Sequence, residues 1–226
     1  MSEKRIILIV LLSNIVLFAI SACLSVNERR FMPSASGGVL DLRNWEWHER
    51  GLVELKGEWE FVPGRFVDPG SAADPVPGAL LQVPGRWGAL TPESGRRDQF
   101  GYGTYRLRVL LGENRPPIMA VRVSDIFTAH TLYVDGKRIN GSGTPGEDRA
   151  QTSAANRPYI AYAAAAGGAL DIAVHASNFE HANKGGIYGA ISLGIPEAVE
   201  RARIVDMALQ VCLLFTLLLF AFIFLL

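Results

Sequence analysis

Val83 to Leu111 reads VPGRWGALTPESGRRDQFGYGTYRLRVLL, and its second half decides the fold. Gly103, Tyr105, Leu107, Val109 and Leu111 alternate with Thr104, Arg106 and Arg108. Successive side chains on a strand point to opposite faces, so this spacing predicts a half-buried antiparallel strand rather than a helix. Pro84 and Gly85 mark a turn just before Trp87, a large aromatic residue. Nothing in the stretch pairs a nucleophile with a base. Architecture is legible here and chemistry is not.

Upstream, Val53, Leu55, Gly57, Trp59 and Phe61 alternate with Glu54, Lys56, Glu58 and Glu60, which predicts one continuous strand with its apolar face inward. Pro63 to Pro84 is rich in Pro, Gly, Ala and Asp and is expected to be a surface connection. Downstream, Met119, Val121 and Val123 face inward with Arg122 outward. Thr131 to Val134, Asp135-Gly136 and Lys137 to Ile139 form a hairpin signal, because Asp-Gly suits a tight primed turn. Further strands are expected near Tyr159 to Tyr162, over Leu170 to Ala176 and over Ile187 to Leu193. That makes about seven or eight strands, with turn residues between them and no amphipathic helix. The expected class is all-β, a β-sandwich of the jelly-roll kind.

The ends are different. Lys4 and Arg5 precede the apolar run Ile6 to Val26, the layout of an export signal. Ile20-Ser21-Ala22-Cys23 also has the pattern of a bacterial lipobox, with Cys23 as the lipidated residue. Residues 1–26 are therefore a cleaved signal peptide, a lipoprotein signal or a retained anchor. At the other end, Pro196 and Glu197 suit a helix start, and Met207 to Leu226 carries no charge. The run is long enough to cross a bilayer as a helix. The expected organisation is a linker over 27–38, a β-domain over 39–195, a juxtamembrane helix over 196–206 and a first transmembrane helix over 207–226. The positive-inside rule then puts the β-domain on the extracytoplasmic side of the cell membrane. Because the last run has no basic flank, the chain is expected to be the N-terminal piece of a longer membrane protein.

At 226 residues, the chain has room for one soluble domain of roughly 150 to 170 residues between those ends. Lys plus Arg and Asp plus Glu number 22 each, and this balance argues against a nucleic-acid partner. The two cysteines, Cys23 and Cys212, both lie in the apolar ends, so no disulfide framework or cysteine-ligated metal is expected.

Leu55-x-Gly57-Glu58-Trp59-Glu60-Phe61, Val83-Pro84-Gly85-x-Trp87, Gly101-Tyr102-Gly103-Thr104-Tyr105-Arg106, Leu132-Tyr133-Val134-Asp135-Gly136 and Ser177-Asn178-Phe179 follow in this order. Together they resemble the extracellular jelly-roll domain of bacterial seven-transmembrane receptors with diverse intracellular signalling modules. More distantly, they look like the galactose-binding-like, sugar-binding jelly roll of β-galactosidase-type glycoside hydrolases. The resemblance implies a sensor that binds a carbohydrate or related small ligand and passes a signal into the membrane helices. The alternative is a membrane-tethered carbohydrate-binding domain or glycosidase fragment with no signalling role. No catalytic residue, cofactor or metal is expected in this segment. The expected partners are the ligand and the membrane, with a homodimer left open.

Five residues are the binding candidates. Trp87 follows a turn and could stack on a sugar ring or pack over the sandwich edge. Tyr102 sits between two glycines at a strand start. Asn178, His181 and Lys184 lie in NFEHANKGG, a loop at a strand end, where sandwich domains often carry function. Asn178 could instead cap its own turn through its amide. His175 is expected to be exposed opposite Ile172 and Val174. Gly141 to Gly146 has the spacing of a dinucleotide fingerprint, but no helix signal follows it, so a glycine-rich loop is the better account.

Overall fold

The computed structural model describes residues 32–70, 78–87 and 99–225. The expected export segment, Cys23 and residues 27–31 of the expected linker lie outside the described residues. Met1–Pro33 separates as a unit of its own, and Ser34–Leu226 forms the other.

The second unit is a β-sandwich. In chain order it contains β1 (Val39–Leu42), a single turn α1 (Trp47–Arg50), β2 (Leu52–Glu54), β3 (Gly57–Pro63), β4 (Ala79–Val83), β5 (Gly101–Leu111) and β6 (Ile118–Val123). Then come β7 (Ile126–Phe127), β8 (Ala129–Val134), β9 (Lys137–Ser142), β10 (Tyr159–Ala164), β11 (Ala169–Asn178), β12 (Gly186–Ile187) and β13 (Ile191–Gly194). The helix α2 (Pro196–Leu225) ends the described chain.

One sheet has seven strands in the order β4-β3-β5-β11-β8-β9, with β1 parallel to β5. The other has four, β10-β6-β13-β2, and β12 pairs with β7 in a two-stranded ladder. The deciding stretch behaves as its alternation predicts. Tyr105, Leu107, Val109 and Leu111 of β5 are buried, and β5 runs antiparallel to β11 from Gly101↔Asn178 to Leu110↔Ala169. Trp59 is fully buried and meets Tyr105 edge-on at 6.5 Å. The Asp135-Gly136 turn has φ of 48° and 74°, both positive, as a primed hairpin turn requires.

Four expectations need correction. The alternating run Val53 to Phe61 is two strands in opposite sheets. β2 pairs with β13, whereas β3 pairs with β4 and β5. Its alternation survives because both sheets face one core, so inward remains inward across the corner. The corner falls at Gly57, where φ is 115° and a Cβ would collide with the backbone of Ala35. Likewise Ile187 to Leu193 divides into β12 and β13, split by a turn in which Tyr188 N and Gly189 N both donate to Asp125 O. Finally, the connection from Pro63 to Pro84 contains β4, an edge strand that leaves Leu80 half exposed. The end of the expected linker is also part of the domain, since Ala35 is buried and its amide donates to Lys56 O at 2.7 Å.

The helix α2 follows the last strand after Ile195 alone. Its first three turns lie on the four-stranded sheet. Val199 is buried, Glu200 Oε1 accepts from Tyr162 Oη at 3.0 Å, and Asp206 Oδ2 accepts from Arg122 Nη2 at 2.6 Å. Ala120, on the outward side of β6, is buried for the same reason. Beyond Asp206 the described side chains are mostly apolar and exposed, among them Leu209, Val211, Leu213, Leu214, Phe215, Leu217 and Leu218, with Gln210 and Thr216 the polar exceptions. Among the described residues, no helix is long and apolar enough to cross a membrane.

Candidate functional site

The sequence candidates separate into a frame, a rim and one outlier. Asn178 ends β11 with no exposed surface. Its Nδ2 donates to Gln99 O at 2.6 Å and to His181 O and Lys184 O, each at 2.8 Å. Its Oδ1 accepts from Glu180 N at 3.3 Å and His181 N at 3.1 Å. Two N–H hydrogens serving three carbonyls means that one of them is shared. The side chain is thus fully used in holding the loop together, as the turn-capping reading expects.

Trp87 belongs to the same frame. It is buried, its Nε1 donates to Gln99 O at 2.7 Å, and its ring lies parallel to that of Tyr105 at 6.3 Å. Phe61 completes the cluster at 5.5 Å. Gly185 passes so close to the Trp87 ring that a Cβ there would collide with it. Trp87 therefore offers no open face to a sugar, and of its two readings the packed one is what the structure contains.

The rim is built on that frame. β12 and β7 pair Gly186 with Phe127 and Ile187 with Ile126, which brings Phe127 beside Tyr188, the residue after β12. The two rings stand perpendicular at 5.9 Å, and Tyr188 is 40% exposed. Lys184 Nζ lies over both, 5.1 Å from the Phe127 centroid and 5.5 Å from that of Tyr188. The Arg86 guanidinium lies 5.9 Å from the Tyr188 centroid, and His181 meets Phe127 edge-on at 5.5 Å. His181, Lys184 and Arg86 are exposed. Among the described residues, neither Lys184 nor Arg86 has a carboxylate partner. Nearby Glu180 is paired with Arg149 at 3.0 Å, and Asp125 accepts from Asn156 Nδ2 at 3.1 Å.

Of the five candidates, His181 and Lys184 lie at this rim; Phe127, Tyr188 and Arg86, which stand beside them, were not among the candidates. One signal for Tyr188 was present, because Ile187 faces inward and its neighbour must face out.

Tyr102 lies elsewhere, on the outward face of the seven-stranded sheet. It packs at 5.0 Å on Phe66, part of a strap that crosses this face. Thr104 Oγ1 donates to Arg65 O at 2.9 Å and accepts from Val67 N at 3.0 Å. His175, expected to be exposed, is half covered. Phe66 stacks on its ring at 4.9 Å, and Nε2 lies 2.8 Å from Val67 O. Burial lowers its pKa, against the opposing pull of the Val67 carbonyl. Beneath the strap is a cavity of about 120 Å³. Its charges answer each other, Arg106 with Glu60 at 3.9 Å and Arg108 with Asp171 at 3.7 Å. Small-molecule pockets usually measure about 300 Å³ or more, so this one is of water or ion size.

Inside the sandwich, His130 of β8 and Tyr159 of β10 share a hydrogen bond of 2.9 Å that ties the two sheets together. Burial pushes the His130 pKa down to about 4, so the imidazole is neutral at ordinary pH. Of Gly141 to Gly146, expected to be a loop, Gly141 and Ser142 end β9, and the loop that follows is closed by the Thr144–Ser153 bridge.

No family model matches the chain, and no curated protein does. Among solved structures, the chain is similar to a β-glucuronidase of an uncultured Clostridium sp., with 16% identity and a TM-score of 0.47 over 63% of this chain and 28% of that one. It is similar to a Faecalibacterium prausnitzii β-glucuronidase, with 15% identity and a TM-score of 0.48 over 63% and 31%. A Ruminococcus gnavus β-glucuronidase in complex with N1-substituted uronic isofagomine gives 16% identity and a TM-score of 0.49 over 65% and 30%. The chain thus spans less than a third of each of these enzymes.

Proposed function

We propose that this chain is a non-catalytic, extracytoplasmic ligand-sensing module of the jelly-roll type, fixed to the cell membrane by α2 and binding a carbohydrate or related small ligand. The observation that carries this reading is the route through β13. Tyr188, three residues before it, belongs to the aromatic rim, and Ile195, the single residue after it, leads directly into α2. β13 itself is paired on both sides, with β6 and with β2. A displacement at the rim is carried to α2 by a central strand, whereas a flexible spacer would absorb it.

The membrane part rests on the sequence of the outer half of α2. Exposed, mostly apolar side chains are stable in an apolar surrounding, and the run Met207 to Leu226 carries no charge and has the length of a bilayer span, although the described part of the helix does not by itself make a span. A ligand could bias the membrane region only as far as it binds two arrangements differently. The test is a glycan screen on the full chain in lipid nanodiscs, repeated after insertion of four glycines between Ile195 and Pro196. The expected result is that both proteins bind the same glycan, but only the uninterrupted chain shows a ligand-dependent distance change between spin labels on the sandwich and on α2. Failure to bind any glycan removes the carbohydrate reading. Equal distance changes in both proteins remove transmission through β13.

A further inference from the structure

We infer that the rim formed by Phe127, Tyr188, Lys184 and Arg86 selects an anionic sugar, with a carboxylate as the recognised group; this rests on the carbohydrate reading above.

Lys184 and Arg86 are both held against the Tyr188 ring, at 5.5 Å and 5.9 Å from its centroid. A ring face attracts one cation readily, but two like charges gathered on one small ring repel each other unless an anion lies with them. Among the described residues, neither Glu180, which pairs with Arg149, nor Asp125, which accepts from Asn156, forms an ion pair with either cation. On the sheet faces, by contrast, Arg106, Arg108 and Arg122 each face a carboxylate. A guanidinium and an ammonium positioned by aromatic rings, with their N–H groups still free, are suited to a carboxylate.

The rings of Phe127 and Tyr188 meet at 89°, forming a corner whose Tyr188 wall remains 40% exposed. Such a wall suits the C–H face of a pyranose, while the cations take the charged substituent. The corner is also ordered in advance. Asn178 fixes the carbonyls of His181 and Lys184, and β12 fixes Tyr188 relative to Phe127. Little loop entropy remains to be lost on binding.

The test uses the full chain in nanodiscs and three probes: D-glucuronate, D-glucose and acetate. Glucuronate is expected to bind about tenfold or more tighter than glucose, the scale of one charge-assisted contact, and tighter than acetate by a similar factor. Lys184→Gln and Arg86→Gln should each bring glucuronate down to about the glucose level, whereas Lys184→Arg should retain the preference. Tyr188→Ala should weaken both sugars. The three substituted side chains are exposed, and an unchanged thermal midpoint would confirm folded variants. Equal binding of glucose and glucuronate overturns the inference while leaving the carbohydrate reading standing. Acetate binding as tightly as glucuronate reduces the rim to a general anion site and also overturns it. If neither sugar binds, the inference and the carbohydrate reading fail together.

Discussion

The residues on either side of β13 make an instructive pair. Before the strand, Lys184 and Arg86 crowd one aromatic ring without a carboxylate among the described residues. After it, Asp206 has Arg122 at 2.6 Å and Glu200 has Tyr162 at 3.0 Å. Among the described residues, one end is completed from within the chain, and at the other the two cations have no carboxylate partner. Exposed ion pairs contribute only about 0–1 kcal/mol each, so the clamp on α2 sets its direction more than the stability of the fold. Charge satisfaction therefore separates fixing from binding better than charge itself does.

The comparison can be strained in four places. The largest effect is expected from Trp59→Ala, which empties the core shared by both ends and should cost about 3–5 kcal/mol in chemical denaturation. A loss below about 1 kcal/mol would place Trp59 outside the core.

Next is pH. Burial holds His130 near a pKa of about 4 against an ordinary 6.5. Below pH 6.5 the unfolded chain takes up a proton that the folded chain refuses. The His130 contribution is therefore complete above that pH and declines as pH falls toward 4, by about 3 kcal/mol in total. His175 acts in the same direction. Denaturation at pH 7 and pH 5 should show His130→Gln losing less stability over this interval than the wild type; parallel losses would show that His130 is not the group responsible.

Asn178→Ala should cost about 1–3 kcal/mol, because it orphans buried carbonyls and amides of the rim loop. It should also abolish sugar binding while leaving α2 on its sheet. Proteolysis confined to residues 179–185 is the expected signature, and resistance equal to wild type would mean that the loop holds without its amide.

The smallest stability effects, within about 1 kcal/mol, belong to Arg122→Ala and Lys184→Gln. They should part functionally, Arg122→Ala loosening α2 in spin-label distances and Lys184→Gln leaving those distances unchanged. Identical behaviour of the two variants would dissolve the comparison.

How far the sequence carries can be seen in particular elements. β5 and β11 are legible because alternation reports which side chains face the core. Alternation does not report which sheet a strand joins, so β2 with β3, and β12 with β13, read as single strands. β4 was hidden in a Pro- and Gly-rich stretch, where one apolar run at a sheet edge gives a weak signal. The Asn178 turn was legible because its partners are three and six residues away. The rim was not, because Arg86, Phe127 and Tyr188 come from distant segments that only the sheet pairing brings together.

The Asn178 staple has a kinetic consequence. With five hydrogen bonds already closed around its amide, the rim loop has no folding step left to perform when a ligand arrives. Association would then be a single encounter steered by Lys184 and Arg86, fast at low salt and slowed by added salt. Replacing Asn178 would insert an ordering step before productive contact, and observed rates would level off at high ligand concentration. A saturating on-rate in the variant beside a linear one in the wild type would be the temporal imprint of a single buried side chain.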